Sequence, residues 1–175
     1  MDHRFCGGRD DAGGRHCFNR RWHCRAQLFR SIAERAASQC SYQRRWCNRT
    51  GTTCSFGASL AAPRRRVVAI QSDGSAQYTV QTLWSMAREG TDITVVLVSN
   101  RKYGILNTEL QRLGHTSGDL ANSLTSLTNP SLDWCATARG YGVPSSQVHS
   151  VGELRAALRR AHAVPGPTLV EAVVG

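Results

Sequence analysis

From residue 67 onward, apolar and polar positions fall into blocks that separate strands from helices. Val67-Val68-Ala69-Ile70 and Ile93-Thr94-Val95-Val96-Leu97-Val98 are nearly unbroken runs rich in β-branched residues. Such runs mark strands buried on both faces of a parallel sheet. Between them Val80, Leu83, Trp84 and Ala87 recur at i, i+3, i+4 and i+7, the apolar stripe of a helix. Gly90 just beyond predicts the C-cap, and the three elements make one right-handed β-α-β unit. Downstream, Leu132, Cys135, Ala136 and Arg139 predict a helix stopped by Gly140. Ser150 and Glu153 form a capping-box signature, followed at helical spacing by Leu154, Ala157, Leu158 and Ala161. Residues 168–174 predict a closing strand, whereas 114–128, rich in Gly, Ser and Thr without a period, read as a mobile loop. The pattern is that of an α/β fold, a parallel sheet flanked by helices.

In folds of this kind ligands gather at the carboxyl ends of the strands, where the polar residues of two turns lie. The first turn, Ser72-Asp73-Gly74-Ser75, opens directly onto a helix. Gly74 lets backbone approach a ligand closely, and free N–H groups at a helix start can hold phosphate oxygens. Asp73 supplies a hard anionic oxygen, suited to magnesium or calcium. The second turn, Ser99-Asn100-Arg101-Lys102-Tyr103-Gly104, adds an amide oxygen 27 positions after Asp73. Each residue alone is a routine turn former. The pair, at the ends of two strands joined by a helix, points to one divalent cation pinning a diphosphate.

These residues resemble the diphosphate-binding domain of thiamine-diphosphate enzymes, whose motif runs Gly-Asp-Gly-Ser and, after a helix and a strand, Asn-Asn. Tyr103-Gly104-Ile105-Leu106, the helix AQYTVQTLW, Asn129-Pro130-Ser131-Leu132-Asp133-Trp134, Gly140-Tyr141-Gly142-Val143 and Pro165-Gly166-Pro167-Thr168-Leu169-Val170-Glu171 are similar to the acetolactate synthase and benzoylformate decarboxylase branch. The resemblance covers 57–174 and implies a three-layer α/β/α fold that binds thiamine diphosphate and Mg2+. Carried over by position, Asp73, Asn100 and the backbone carbonyl of Lys102 are the expected metal ligands. Gly74, Ser75, Tyr103, Gly104, Ile105 and Leu106 are expected to face the cofactor. Two positions depart from the motif: Ser72 replaces its first Gly and Ser99 its first Asn.

Charge divides the chain where hydropathy does not. Residues 1–66 hold 14 Arg against 4 acids, while 67–175 hold 8 basic and 8 acidic residues, so the whole net charge of +10 lies in the first third. Cys6, Cys17, Cys24, Cys40, Cys47 and Cys54 lie there too, and only Cys135 lies beyond. A basic arm with Trp22, Phe29 and Trp46 suits nucleic acid, and His16-Cys17 with His23-Cys24 suggests a metal module. No Cys-x-x-Cys occurs, however, and the spacings match no common zinc pattern. A disulfide framework would need a secreted context, which the N-terminus gives no sign of. With 21 Arg against one Lys in the chain, and no strand or helix period, 1–56 reads as a disordered or out-of-frame segment joined to a genuine domain over 57–175. A short helical turn within 31–38 is compatible with Ile32, Arg35 and Ala36.

The resemblance implies a 2-keto acid substrate, decarboxylated or joined to a second carbonyl as in branched-chain amino acid biosynthesis. It also implies an activating Glu from a separate pyrimidine-binding domain, on another chain or on a lost N-terminal part. Glu89, Glu109, Glu153 and Glu171 do not match that position, so the chain alone is expected to be incomplete and inactive, with no catalytic residue of its own. Complete relatives are homo-oligomers with sites between subunits. The alternative is a non-catalytic remnant whose basic tail binds anions or nucleic acid nonspecifically. His115, His149 and His162 are expected to be solvent-exposed. No 18-residue apolar run predicts a membrane span, and scattered Cys suits a reducing, cytoplasmic setting.

Overall fold

A computed structural model describes residues 15–19, 38–42, 51–115 and 118–174. Six strands, β1 (Arg15–Asn19), β2 (Ser38–Tyr42), β3 (Val67–Ser72), β4 (Ile93–Ser99), β5 (Ser145–Val148) and β6 (Thr168–Val173), form one sheet in the order β2-β1-β3-β4-β6-β5. Every pairing is parallel. The seven helices among the described residues are α1 (Gly51–Ala61), α2 (Asp73–Ala76), α3 (Thr82–Arg88), α4 (Gly104–Arg112), α5 (Asp119–Thr125), α6 (Trp134–Gly140) and α7 (Val151–Ala163).

The central strands explain the unbroken apolar runs. All seven residues of β4 are buried, because helices cover both faces. On one face Val67, Ala69, Ile93, Val95 and Leu169 pack with Leu83 and Met86 of α3, Ala138 of α6, and Phe56 and Ala58 of α1. On the other, Val68, Ile70, Val96, Val98 and Val170 meet Leu154, Ala157 and Leu158 of α7. Burying each such Val, Ile or Leu contributes about 1.5–3 kcal/mol. The expected three-layer α/β/α arrangement is present, and Gly90, at φ 59° just past α3, takes the left-handed conformation that ends a helix.

Four expectations change. The helix foreseen around Val80–Ala87 is α3, separate from the short α2 that follows Ser72, and Trp84 is 52 % exposed, while Thr82, Leu83 and Met86 form the buried stripe. The mobile loop at 114–128 instead contains α5, with Asp119 in its first turn; residues 116–117 lie outside the described residues. The segment without period contributes β1 and β2, whose sequences RHCFN and SQCSY contain no β-branched residue to announce a strand. Finally, α1 runs across the expected boundary between 56 and 57, with Thr52, Ser55 and Ser59 on its buried side. The small buried face of α1 suits close packing on the sheet: a Cβ at Gly51 would collide with Gln71 Oε1 of β3. Of the helical turn expected within 31–38, Ser38 begins β2 and 31–37 lie outside the described residues, as do Cys6, Cys24 and Cys47.

Candidate functional site

The sheet order sets the location. β3 and β4 are neighbours in a wholly parallel sheet, so their carboxyl ends, where ligands gather in such folds, lie side by side. Asp73 follows β3 directly, and Asn100 follows β4, its neighbour. Sequence and fold therefore bring the two predicted turns side by side.

Asp73 is 2 % exposed, although a lone carboxylate at such depth is costly. Its donors come from both turns. Asp73 Oδ1 accepts from Gly74 N at 2.8 Å, and Oδ2 accepts from Arg101 N at 2.6 Å. Ser99 Oγ donates a longer bond to Oδ2, at 3.5 Å. Burial pushes the carboxyl above the ordinary aspartate range. The amides of Gly74, Arg101 and Asn100 and the Ser99 hydroxyl pull it back only in part. A nearby cation would oppose that upward shift.

The second turn is held in an uncommon backbone shape. Arg101 has φ 55°, a conformation that costs a non-glycine residue about 1–3 kcal/mol. The surroundings hold it there: Arg101 N is bonded to Asp73, Arg101 O accepts from Leu127 N at 2.8 Å, and Tyr103 N donates to Thr125 O at 2.8 Å. Lys102 makes an antiparallel bridge with Ser126. The end of α5 and the residues after it thus brace the Asn100 turn, a role the composition of 114–128 did not disclose.

Between this turn and the strand ends lies a small cavity of about 90 Å3. Asp73, Ser99 and Arg101 form its polar wall, facing Leu127, Ser131, Leu132 and Trp134. Of the expected metal ligands only Asp73 lines it. The Asn100 side chain is exposed, its Oδ1 accepting from Lys102 N at 3.2 Å. Gly74 and Gly104 are tightly covered: a Cβ at Gly74 would lie 2.7 Å from the Tyr103 ring, and one at Gly104 3.1 Å from Asn100 Nδ2. Ser75 is 8 % exposed, whereas Leu106 is 51 % exposed on α4. The far wall was missed as a set of site residues, although its signal was present in Asn129-Pro130-Ser131-Leu132-Asp133-Trp134.

The expected ligands are of the chemical kind that magnesium takes. Asp73, the Asn100 amide oxygen and the Lys102 carbonyl are hard oxygens, and Mg2+ commonly takes one or two carboxylates and completes its shell with water and phosphate. No cluster of three or more His, Cys, Asp or Glu occurs among the described residues. Cys135 is buried, and burial pushes its thiol up. His115, His149 and His162 are exposed, as expected.

A family model described as the C-terminal TPP-binding domain of thiamine pyrophosphate enzymes matches residues 46–172. A Mycobacterium tuberculosis protein provisionally named acetolactate synthase large subunit IlvX is 45 % identical over 126 residues, covering 71 % of this chain and 24 % of that protein. Benzoylformate decarboxylase of Pseudomonas aeruginosa is 38 % identical over 122 residues, 69 % of this chain and 22 % of the enzyme. Among solved structures, the thiamine diphosphate-dependent 4-hydroxybenzoylformate decarboxylase of Rhodococcus jostii RHA1 superposes with a TM-score of 0.61 at 32 % identity. It covers 69 % of this chain, which spans 22 % of the decarboxylase chain. The chain spans about a quarter of the length of the curated relatives it matches.

Proposed function

Because this chain belongs to the thiamine pyrophosphate enzymes, through their C-terminal TPP-binding domain, we propose that it supplies the diphosphate-side half of a site acting on 2-keto acids. The carrying observation is Asp73, a carboxylate buried to 2 % exposure whose oxygens are held by amides from both turns. In this reading Asp73, Asn100 and the Lys102 carbonyl hold Mg2+. Gly74, Ser75, Tyr103, Gly104, Ile105 and Leu106 surround the diphosphate. What bound thiamine diphosphate supplies is carbanion stabilisation during decarboxylation or carboligation of a 2-keto acid. The residues of this chain bind and orient: Asp73 ties the two turns together, and Leu127, Leu132 and Trp134 wall its oxygens from water.

The activating Glu belongs to a pyrimidine-binding domain on another polypeptide segment, so the chain alone does not turn over 2-keto acids. Turnover by the purified chain would refute this. Leu113, Leu120 and Leu124, exposed by 72 %, 75 % and 73 %, give α5 and the end of α4 an apolar surface for that domain or a second subunit. None of the described helices is long and apolar enough to cross a membrane; the scattered Cys of the sequence suit a reducing, cytoplasmic setting. An out-of-frame origin for 1–56 is tested by resequencing the coding region.

The test is thermal melting of the chain with and without thiamine diphosphate and magnesium. Ligand at 100 times its dissociation constant should stabilise by about 2.7 kcal/mol, and Asp73→Ala should abolish that shift. A cooperative melt that ignores both would favour the second reading, a non-catalytic remnant. That reading draws on the excess of +10 in residues 1–66, a tail suited to nonspecific anion or nucleic acid binding.

A further inference from the structure

Ser72 stands where the resembling motif has its first Gly, and its side chain is engaged. The residue is the N-cap of α2, with extended backbone at φ −86° and ψ 153°, yet its hydroxyl caps no backbone N–H. Serine at an N-cap usually accepts from the amide two or three residues on. Here Ser72 Oγ instead donates to Ser75 Oγ at 3.0 Å. A hydroxyl carries one proton and two lone pairs. Accepting from Ser72 therefore occupies one lone pair of Ser75 and leaves its own proton to donate elsewhere. Ser75 is only 8 % exposed, so few water molecules compete for that proton. Asp73, two residues earlier, already accepts from Gly74, Arg101 and Ser99.

We propose that Ser72 is a positioning residue for diphosphate: by donating to Ser75 Oγ it fixes the rotor of that hydroxyl, so that Ser75 presents its proton to a phosphate oxygen. Ser72 itself does not touch the ligand. The departure from glycine thus adds order to the turn. The proposal rests on the reading of Asp73 and its turn as a magnesium-diphosphate site.

The test is calorimetric titration of the full chain with magnesium and inorganic pyrophosphate, repeated with magnesium and thiamine diphosphate. Ser72→Ala should weaken pyrophosphate about fivefold, the worth of one ordinary hydrogen bond, while the melting temperature of the ligand-free chain changes little. Ser72→Thr, which keeps the hydroxyl, should bind as the unsubstituted chain does. In a Ser75→Ala background, Ser72→Ala should produce no further loss. Equal binding by Ser72→Ala, or a full fivefold loss persisting without the Ser75 hydroxyl, would overturn the positioning role while leaving the site intact. Absence of magnesium-dependent binding by the unsubstituted chain would overturn both the role and the reading beneath it.

Discussion

Gly74 and Tyr103 belong to different turns, yet they meet: a Cβ at position 74 would sit 2.7 Å from both Cδ1 and Cε1 of the Tyr103 ring. Glycine is required there by contact, with no positive φ involved. Gly74→Ala should therefore push the ring outward and cost about 1–3 kcal/mol, as overpacking does elsewhere. Urea denaturation of the ligand-free chain measures this, and a variant as stable as the unsubstituted chain would show that the ring moves freely. The residue scale is also where sequence reading had most and least purchase. The placement of Asp73 and Asn100 directly after β3 and β4 was legible, because each follows the end of a β-branched run. The outward turn of the Asn100 side chain was not, since it depends on the Lys102 amide and on the backbone conformation of Arg101, neither of which has a residue-type signature.

Among the elements, α7 shows local chemistry acting as anticipated. Ser150 Oγ accepts from Glu153 N at 3.2 Å, and Glu153 Oε2 accepts from His149 N at 2.7 Å, one residue before the N-cap that the box motif specifies. The His149 amide, helped by the Ser150 amide, holds the Glu153 carboxyl below its ordinary value against partial desolvation. A depressed folded-state value means stability that is present above the ordinary glutamate range of about 4.3 and lost as pH falls through the lower, folded value. The stability difference between the unsubstituted chain and Glu153→Ala should thus be largest near neutrality and shrink in acid. Denaturation midpoints across that range decide it; a difference independent of pH would assign the effect to packing. β3, β4, β6 and α7 were all readable from period and caps. β1 and β2 were not, because their place in the sheet is fixed by pairing, β1 with β3 and β2 with β1, rather than by local preference. α5 was hidden for a related reason: only Thr125 of its residues is buried, so it leaves no apolar stripe.

Across the whole molecule the two ends of the sheet are fastened differently. At the amino ends, Arg66 Nη1 donates to Ala161 O at 2.7 Å, and Nη2 donates to Val164 O at 2.9 Å and to Asp92 Oδ1 at 3.4 Å. Asp92 Oδ1 also accepts from Gly166 N at 2.7 Å. One guanidinium thus joins the last turn of α7 to the start of β4. Arg66→Ala should cost about 2 kcal/mol in urea denaturation, within the range for hydrogen bonds to charged groups. Arg66→Lys should recover less than half, because an ammonium cannot reproduce the planar fork; full recovery would reduce the clamp to simple charge. At the carboxyl ends the fastening is the Asp73–Arg101 bond, which spans 28 positions of sequence. The Arg101 amide can exchange its proton with solvent only when that bond opens. Its deuterium uptake therefore keeps time for the site, recording how often the two strand ends part and how far a ligand slows them.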